Sequence, residues 1–235
     1  MAPTLAGWRN PFQLCDDRTG RRFERCDQCA QILVPKHMPG VKVVRSLLSL
    51  GYDDAALGHA EMHCENVRAP AENLLLGEGC SFAIAQGRLQ PGRIQHCMRV
   101  IGTAHRALEF ACRRAASCET FGRKLADHQL LLEDLAKSWS EFEQARLLTL
   151  KAAQRMDTVG AKNTRDLIAA VNITVSLMAQ TVIDRCMQIH GAGGLTADNP
   201  MATAYNSVRW CRQADGPDQV HEIALGKQII RRYSG

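Results

Sequence analysis

The sequence predicts a mainly α protein: an antiparallel helical bundle over residues 81–235, preceded by part of a β-sheet or β-barrel domain over residues 31–80. Three observations predict it. The hydrophobic period changes from strand-like to helical near Ser81. The long helical windows are joined by short breakers, as in an antiparallel bundle. The strands ahead of them are too few to make a sheet that stands alone, so they read as part of a larger one. Residues 1–30 show neither period and are expected to be a divergent, poorly ordered start.

Taken in order, the run Ile32-Leu33-Val34 stops at Pro35, and Val41-Lys42-Val43-Val44 follows the turn signal Pro39-Gly40. Ala60, Met62 and Cys64 then alternate with Glu61, His63 and Glu65, the pattern of a half-buried strand. The stripe Ile94, Met98, Ile101, His105, Leu108, Cys112 predicts a first long helix. Leu131, Leu135, Trp139, Phe142 and Ala145 predict a second, closed by Gly160 in the left-handed position. Ile168, Val171, Val175, Met178, Val182 and Ile189 predict a third, opened by Asn163 and Asp166 as a weak capping box. Gly191–Gly194 and Asp198-Asn199-Pro200 read as turns, and a last helix spans about 217–233.

Composition narrows the function class. Of 235 residues 46% are hydrophobic, with only 18 Gly and 8 Pro, which suits a globular chain and excludes a fibrous or disordered one. No run approaches the ~18 consecutive apolar residues of a membrane helix. The start carries Asp16 and Asp17 and no apolar core, so a secretory signal is not expected. The net charge of +5 comes partly from Arg18, Arg21, Arg22 and Arg25. With aromatics at 5% the chain lacks the basic, aromatic-studded face of a nucleic-acid binder, and the surplus suits an anionic cofactor or substrate. Most cysteines, such as Cys97, Cys112, Cys186 and Cys211, stand singly in helical windows, the usage of a reducing compartment. Cys26 and Cys29 form one CxxC without a second pair or a His at zinc spacing, so no metal site is expected.

No nucleophile elbow, Walker loop or HExxH is present. Three other segments stand out. The first reads Glu119-Thr120-Phe121-Gly122-Arg123-Lys124 and continues to Gln129. The second is Gln188-Ile189-His190-Gly191-Ala192-Gly193-Gly194, and the third is Ala214-Asp215-Gly216-Pro217-Asp218-Gln219-Val220-His221. Read alone, the glycines could be a helix cap and turn. Asp215 could be an N-cap ahead of Pro217 at the first helical position. The glutamines could be solvated, and Arg93 could pair with a surface acid.

In this order and spacing the segments resemble the acyl-CoA dehydrogenase family. That family has Arg-x-x-Phe-Gly…Gln between the first two bundle helices, a Gln-x-x-Gly-Gly-x-Gly turn, and a catalytic acid followed by Gly-Thr and Gln. The Asp-Gly-Pro-Asp-x-Val-His form, together with the run from Gln86 through Pro91, Gly92 and Arg93 to His96, resembles the branch of family members 10 and 11. The resemblance runs from about Gln31 to the C-terminus.

The resemblance implies FAD-dependent α,β-dehydrogenation of a fatty acyl-CoA thioester to the trans-2-enoyl-CoA, in β-oxidation. Asp215 would take the α proton while its own backbone N–H and a flavin hydroxyl stabilise the enolate-like carbonyl. Gly216 would let backbone, flavin and substrate approach closely, and Arg93 would lie near the thioester. Phe121, Gly122, Gln129, Gln188, Gly191, Gly193, Gly194 and Gln219 would contact FAD, the glycine turn serving a neighbouring subunit. The family further implies reoxidation by an electron-transfer flavoprotein and a homodimer or homotetramer. It places the chain in the mitochondrion, in the matrix or on the membrane, with the peroxisome as the alternative. The terminal Tyr233-Ser234-Gly235 is not a peroxisomal Ser-Lys-Leu signal.

Several positions depart from the family pattern. Cys118 stands where the family has the Arg that pairs with FAD phosphates, and a thiol cannot replace a fork of charged donors. Ala192 replaces one glycine of the turn, and Asp215 is a methylene shorter than the commoner Glu. The family's N-terminal helical domain and the first half of its β domain are expected to be absent. A non-catalytic module that assembles with full-length subunits is the alternative reading.

Overall fold

Residues 12–15, 29–53 and 58–234 are described by the computed structural model, and the chain divides into two units at Arg88–Leu89. In the first, β1 (Phe12–Cys15) pairs antiparallel with β2 (Cys29–Ile32), Phe12 opposite Ile32. Within the start expected to be irregular, residues 12–15 and 29–30 lie in these two strands. Residues 1–11 and 16–28, with Cys26 of the CxxC, lie outside the described residues.

β2 ends earlier than the apolar run suggests. Leu33 leaves the strand because its backbone is matched by Asn73, whose carbonyl accepts from Leu33 N (3.0 Å) and whose Nδ2 donates to Leu33 O (2.9 Å). Gln31 Nε2 donates to Ser81 O (3.1 Å) and is buried. β3 (Val41–Ser49) lies between β4 (Tyr52–Asp53) and β5 (His59–Cys64), all antiparallel. The turn into β3 requires glycine: Gly40 has φ +90, and a Cβ there would sit 2.2 Å from Glu65 O. β3 leaves Val44, Leu47 and Leu48 exposed.

Five helices make up most of the remainder: α1 (Ser81–Ser117), α2 (Gln129–Val159), α3 (Arg165–His190), α4 (Pro200–Cys211) and α5 (Asp218–Arg231). α1 starts in the first unit and runs through Pro91, whose missing N–H leaves one carbonyl without its helical donor close to the unit boundary. The α1 stripe is shifted from the expected one. Cys97, Ala104, Ala111 and Ala115 are buried with Ile94, Ile101 and Leu108, whereas Met98 and Cys112 face solvent. Steps of three and four over about six turns, with the small residues Cys97, Ala104 and Ala111 at alternate positions, give a narrow seam of the kind that near-parallel helices share. α2 answers with Ser138, Phe142, Ala145, Thr149 and Ala152, while the expected Trp139 is half exposed and tilts against His105. His105 stacks on Phe142 with centroids 4.9 Å apart.

α3 is the central helix, with Val171, Val175, Val182, Ile183 and Cys186 at 1% exposure or less. The stretch Ala161–Leu195 is long and apolar enough to cross a membrane, with mean hydropathy 1.6, yet its apolar side chains form the bundle core. Gly160 closes α2 with φ 81 but ψ 161, a positive-φ extended residue instead of the left-handed helical one expected. The capping box does not form. Asn163 Nδ2 turns back to Val159 O (2.9 Å), and Asp166 pairs with Arg155 (3.2 Å) and Arg232. Burial alone would raise the Asp166 pKa; the Leu167 amide, Arg232 and Arg155 outweigh it and hold the carboxyl below its ordinary value.

α4 was not expected, since Asp198-Asn199-Pro200 reads as a turn. The same residues start the helix: Asn199 accepts from Met201 N at 3.0 Å and Pro200 fills the first turn.

Candidate functional site

The turn between α4 and α5 is built from backbone bonds that leave one amide open. Ala214 N donates to Trp210 O (2.9 Å) and Gly216 N to Gln213 O (3.3 Å). The N–H between them, on Asp215, has no backbone acceptor among the described residues. Asp215 has φ 58 and Gly216 φ 116. A non-glycine residue in the left-handed region costs ~1–2 kcal/mol, so the surroundings must hold it there. They do so from α1. Arg93 Nη2 donates to Asp215 O at 2.7 Å, and His96, one turn further, places Nε2 4.0 Å from Asp215 Oδ2. The N-cap reading of Asp215 does not hold, because Pro217 caps α5 and Asp218 is its first residue.

The Asp215 carboxylate faces a cavity of about 10 Å³, room for one water, lined also by His96, Cys97, Asn172, Ser176 and Cys211. Burial pushes the Cys97 thiol up to about 12, and the neighbouring Cys211 and Asp215 charges add to this; Cys211 is raised for the same leading reason. Both sulfurs are therefore neutral, apolar walls at physiological pH. Beneath the turn His221 is only 6% exposed, and among the described residues its Nε2 lacks a hydrogen-bond partner, as does the buried Arg93 Nε. Burial, then the Arg93 charge, holds the His221 pKa below its ordinary 6.5. The imidazole is neutral, and one cation, Arg93, sits under the turn.

Two other segments carry the expected cofactor residues. β6 (Glu119–Thr120) and β7 (Arg123–Lys124) form a hairpin whose two-residue loop is Phe121 (φ 52) and Gly122 (φ 77). Positive φ at both loop residues is what the type I′ hairpin requires. Phe121 is 99% exposed, Gln129 opens α2 exposed, and Cys118 is half-buried, with its carbonyl accepting from Leu125 N at 2.9 Å. At the end of α3, Gln188 is exposed and Gly191 has φ 62. Gly194 is obligatory there, since a Cβ would lie 2.6 Å from Met187 O, whereas Gly191 and Gly193 border open space.

The fold thus joins Arg93, Asp215 and Gly216 in one place. Gln219 lies exposed one residue into α5. Among the described residues no hydrogen bond or ion pair ties the hairpin or the glycine turn to the Asp215 turn. Sequence reasoning missed His96, Cys97, Cys211 and His221 as neighbours of the acid. Their signal was available: the runs 86–96 and 214–221, which mark the branch of family members 10 and 11, meet through Arg93, His96, Asp215 and His221.

Comparison with known proteins identifies the family of the fold. Residues 78–230 match the model of the acyl-CoA dehydrogenase C-terminal domain. The chain is 46% identical over 207 residues to an Arabidopsis thaliana protein named "Probable acyl-CoA dehydrogenase IBR3", covering 88% of this chain and 25% of that one. It is 46% identical to rat acyl-CoA dehydrogenase family member 11, covering 86% and 26%. It is 45% identical to mouse family member 10, covering 92% and 20%. A solved acyl-CoA dehydrogenase-like chain from Mycobacterium abscessus superposes with TM-score 0.89 at 39% identity, over 95% of this chain and 54% of that one. The chain thus spans about a quarter of those curated relatives and about half of the solved one. Fold, motif order and these likenesses together establish that the chain belongs to the acyl-CoA dehydrogenase family, on the side of family members 10 and 11.

Proposed function

We propose that this chain carries the proton-abstracting end of a flavin-dependent acyl-CoA dehydrogenase, with Asp215 as the base. The observation that carries this reading is the Asp215 turn itself: an acid lining a small cavity, beside a backbone N–H with no backbone acceptor among the described residues, on a turn whose carbonyl Arg93 holds. A thioester whose α carbon lies at the carboxylate would lose its proton to Asp215, and the carbonyl oxygen would take the Asp215 N–H as a donor. Neutral Cys97 and Cys211 in the cavity wall keep the surroundings of Asp215 poor in water, which would strengthen both interactions.

The residues present fit FAD in part. The hairpin offers an uncovered aromatic ring at Phe121, and the turn at Gly191 and Gly193 has space for close backbone approach. Cys118 is the weak point, because it gives no charged donor to a pyrophosphate. Phe121, Gly122, Gln129, Gln188, Gly191, Gly193, Gly194 and Gln219 would hold the cofactor, which when bound supplies the acceptor for the β hydride. Reoxidation by an electron-transfer flavoprotein and a mitochondrial site complete the reading.

The test is the visible spectrum of the purified chain after incubation with FAD and desalting. A retained flavin band that bleaches with acyl-CoA is the expected result; a colourless protein would sink the catalytic reading for this chain. The exposure of Phe121, with Val220, Ile223 and Ile230 along the open side of α5, favours one alternative, an assembly module that docks on full-length subunits. That reading predicts a colourless chain that co-purifies with them.

A further inference from the structure

We infer that Arg212, Asp218 and Gln180 form a clasp that positions Asp215, a role that no motif of the sequence marks. The inference rests on the reading of Asp215 as base. Residues 213–217 leave helical geometry, yet the helix ends on either side are bound to each other. Arg212 Nε donates to Asp218 Oδ2 at 2.6 Å, with the two side chains 29% and 7% exposed. The same guanidinium uses Nη1 on Gln180 Oε1 (3.0 Å), and Gln180 Nε2 donates to Tyr205 OH (2.8 Å). Both ends of the Gln180 amide are thus occupied, so one chain of hydrogen bonds ties α3, α4 and the start of α5 together.

The clasp shortens the path that residues 213–217 must follow. A closed five-residue turn cannot relax Asp215 out of its positive φ without breaking the ion pair or the Arg93 bond to its carbonyl. A largely buried ion pair extended by hydrogen bonds on both ends of the Gln180 amide can fix one arrangement of the chain, whatever it adds to net stability. Opening the clasp lets the carboxylate drift from the α carbon, and proton transfer does not tolerate an ångström of drift. A plain structural role for Asp218, as an acid in the first turn of α5, would stabilise the helix without holding Asp215.

Amide hydrogen exchange on the full chain separates these roles, comparing Arg212→Leu, Arg212→Lys and Asp218→Asn with a control, Arg185→Leu. The control breaks the Arg185–Glu141 bridge (2.7 Å) between α2 and α3, away from the turn. The clasp predicts that Ala214 and Gly216 amides exchange at least about tenfold faster in Arg212→Leu, with α3 amides no more affected than in the control. Arg212→Lys recovers part of the protection. In the flavin-loaded protein, kcat falls up to about hundredfold with KM nearly constant. If Arg212→Leu fails to fold, Asp218→Asn carries the same comparison. Unchanged exchange at Ala214 and Gly216 overturns the clasp whatever the activity, and an equal kcat loss in the control overturns it too. A wild-type chain without turnover counts against Asp215 as base, and exchange alone then upholds or overturns the clasp.

Discussion

The Asp215 turn and the Phe121 hairpin solve the same backbone problem in opposite ways. Each holds a non-glycine residue at positive φ, 58 and 52. At Asp215 the constraint comes from within the chain, through Arg93 and the bonds that flank the turn. At Phe121 only the hairpin register acts, and the ring meets none of its own chain, being 99% exposed. One region is held by its own chain; the other presents an exposed ring held by hairpin geometry alone.

The largest effect should come from the region that its own chain holds, if Asp215 is the base. Asp215→Asn keeps shape and hydrogen bonding but removes the base, so kcat of the flavin-loaded protein should fall ~10²–10⁴-fold. Flavin content should stay constant, because Asn keeps the shape of the turn and most of the expected flavin contacts lie on the hairpin and the glycine turn. Steady-state turnover with an artificial electron acceptor and the flavin absorbance report the two quantities separately. Wild-type turnover in the variant would remove Asp215 from the mechanism.

Next comes a repair of the open region. Cys118→Arg should tighten FAD binding by about ten- to hundredfold, the gain of a charged hydrogen bond to phosphate. Titration of flavin fluorescence measures it. An unchanged dissociation constant would mean that position 118 does not face the pyrophosphate.

The two regions also differed in how far the sequence revealed them. The period change at Ser81 and the apolar stripe of α3 were legible because each apolar side chain there has one burial choice. The α1 stripe was misjudged by one position at Met98 and Cys112, where the smaller neighbours Cys97 and Ala111 are buried instead, because a pattern count favours the larger apolar side chain whereas a tight seam prefers the smaller one. α4 was missed because a turn signal and a helix N-terminus use the same residues, Asn199 and Pro200. Asp215 and Arg93 were found through motif resemblance. The His221 and Arg212 contacts bridge residues whose meeting depends on how α1, α3 and α5 pack, which no local pattern encodes.

A smaller effect separates strain from function at the hairpin. Phe121→Asn places the preferred type I′ pair, Asn before Gly122, in the loop and removes an exposed ring. The chain should gain up to ~1 kcal/mol, read as a higher urea midpoint. It should lose flavin at the same time. Stability without flavin loss would show that the ring is not a cofactor contact, and flavin loss without added stability would show that the loop is unstrained.

The smallest effect concerns His221 and pH. Its folded pKa is lower than its ordinary 6.5, first because burial disfavours the imidazolium and then because Arg93 repels it. Above about pH 6.5 both folded and unfolded forms are neutral and His221 contributes no pH dependence. As pH falls below that value the unfolded chain takes the proton first, so the folded state loses stability until the folded pKa is reached, where the loss levels off. The facing groups fix the sign: Arg93 on α1 opposes protonation, while Asp215 and Asp218 favour it without cancelling the burial cost. Asp166, held low by the Leu167 amide, Arg232 and Arg155, begins its own loss only at carboxylate pH, so the two windows are separable. Replacing His221 by Gln removes the titration but keeps a polar side chain of similar reach. Urea midpoints between pH 7.5 and 5.5 should therefore decline less steeply in His221→Gln than in the wild type, with equal slopes below pH 4, where carboxylates dominate. Parallel curves throughout would show that His221 is as easily protonated in the fold as out of it, and that a second cation is tolerated under the Asp215 turn.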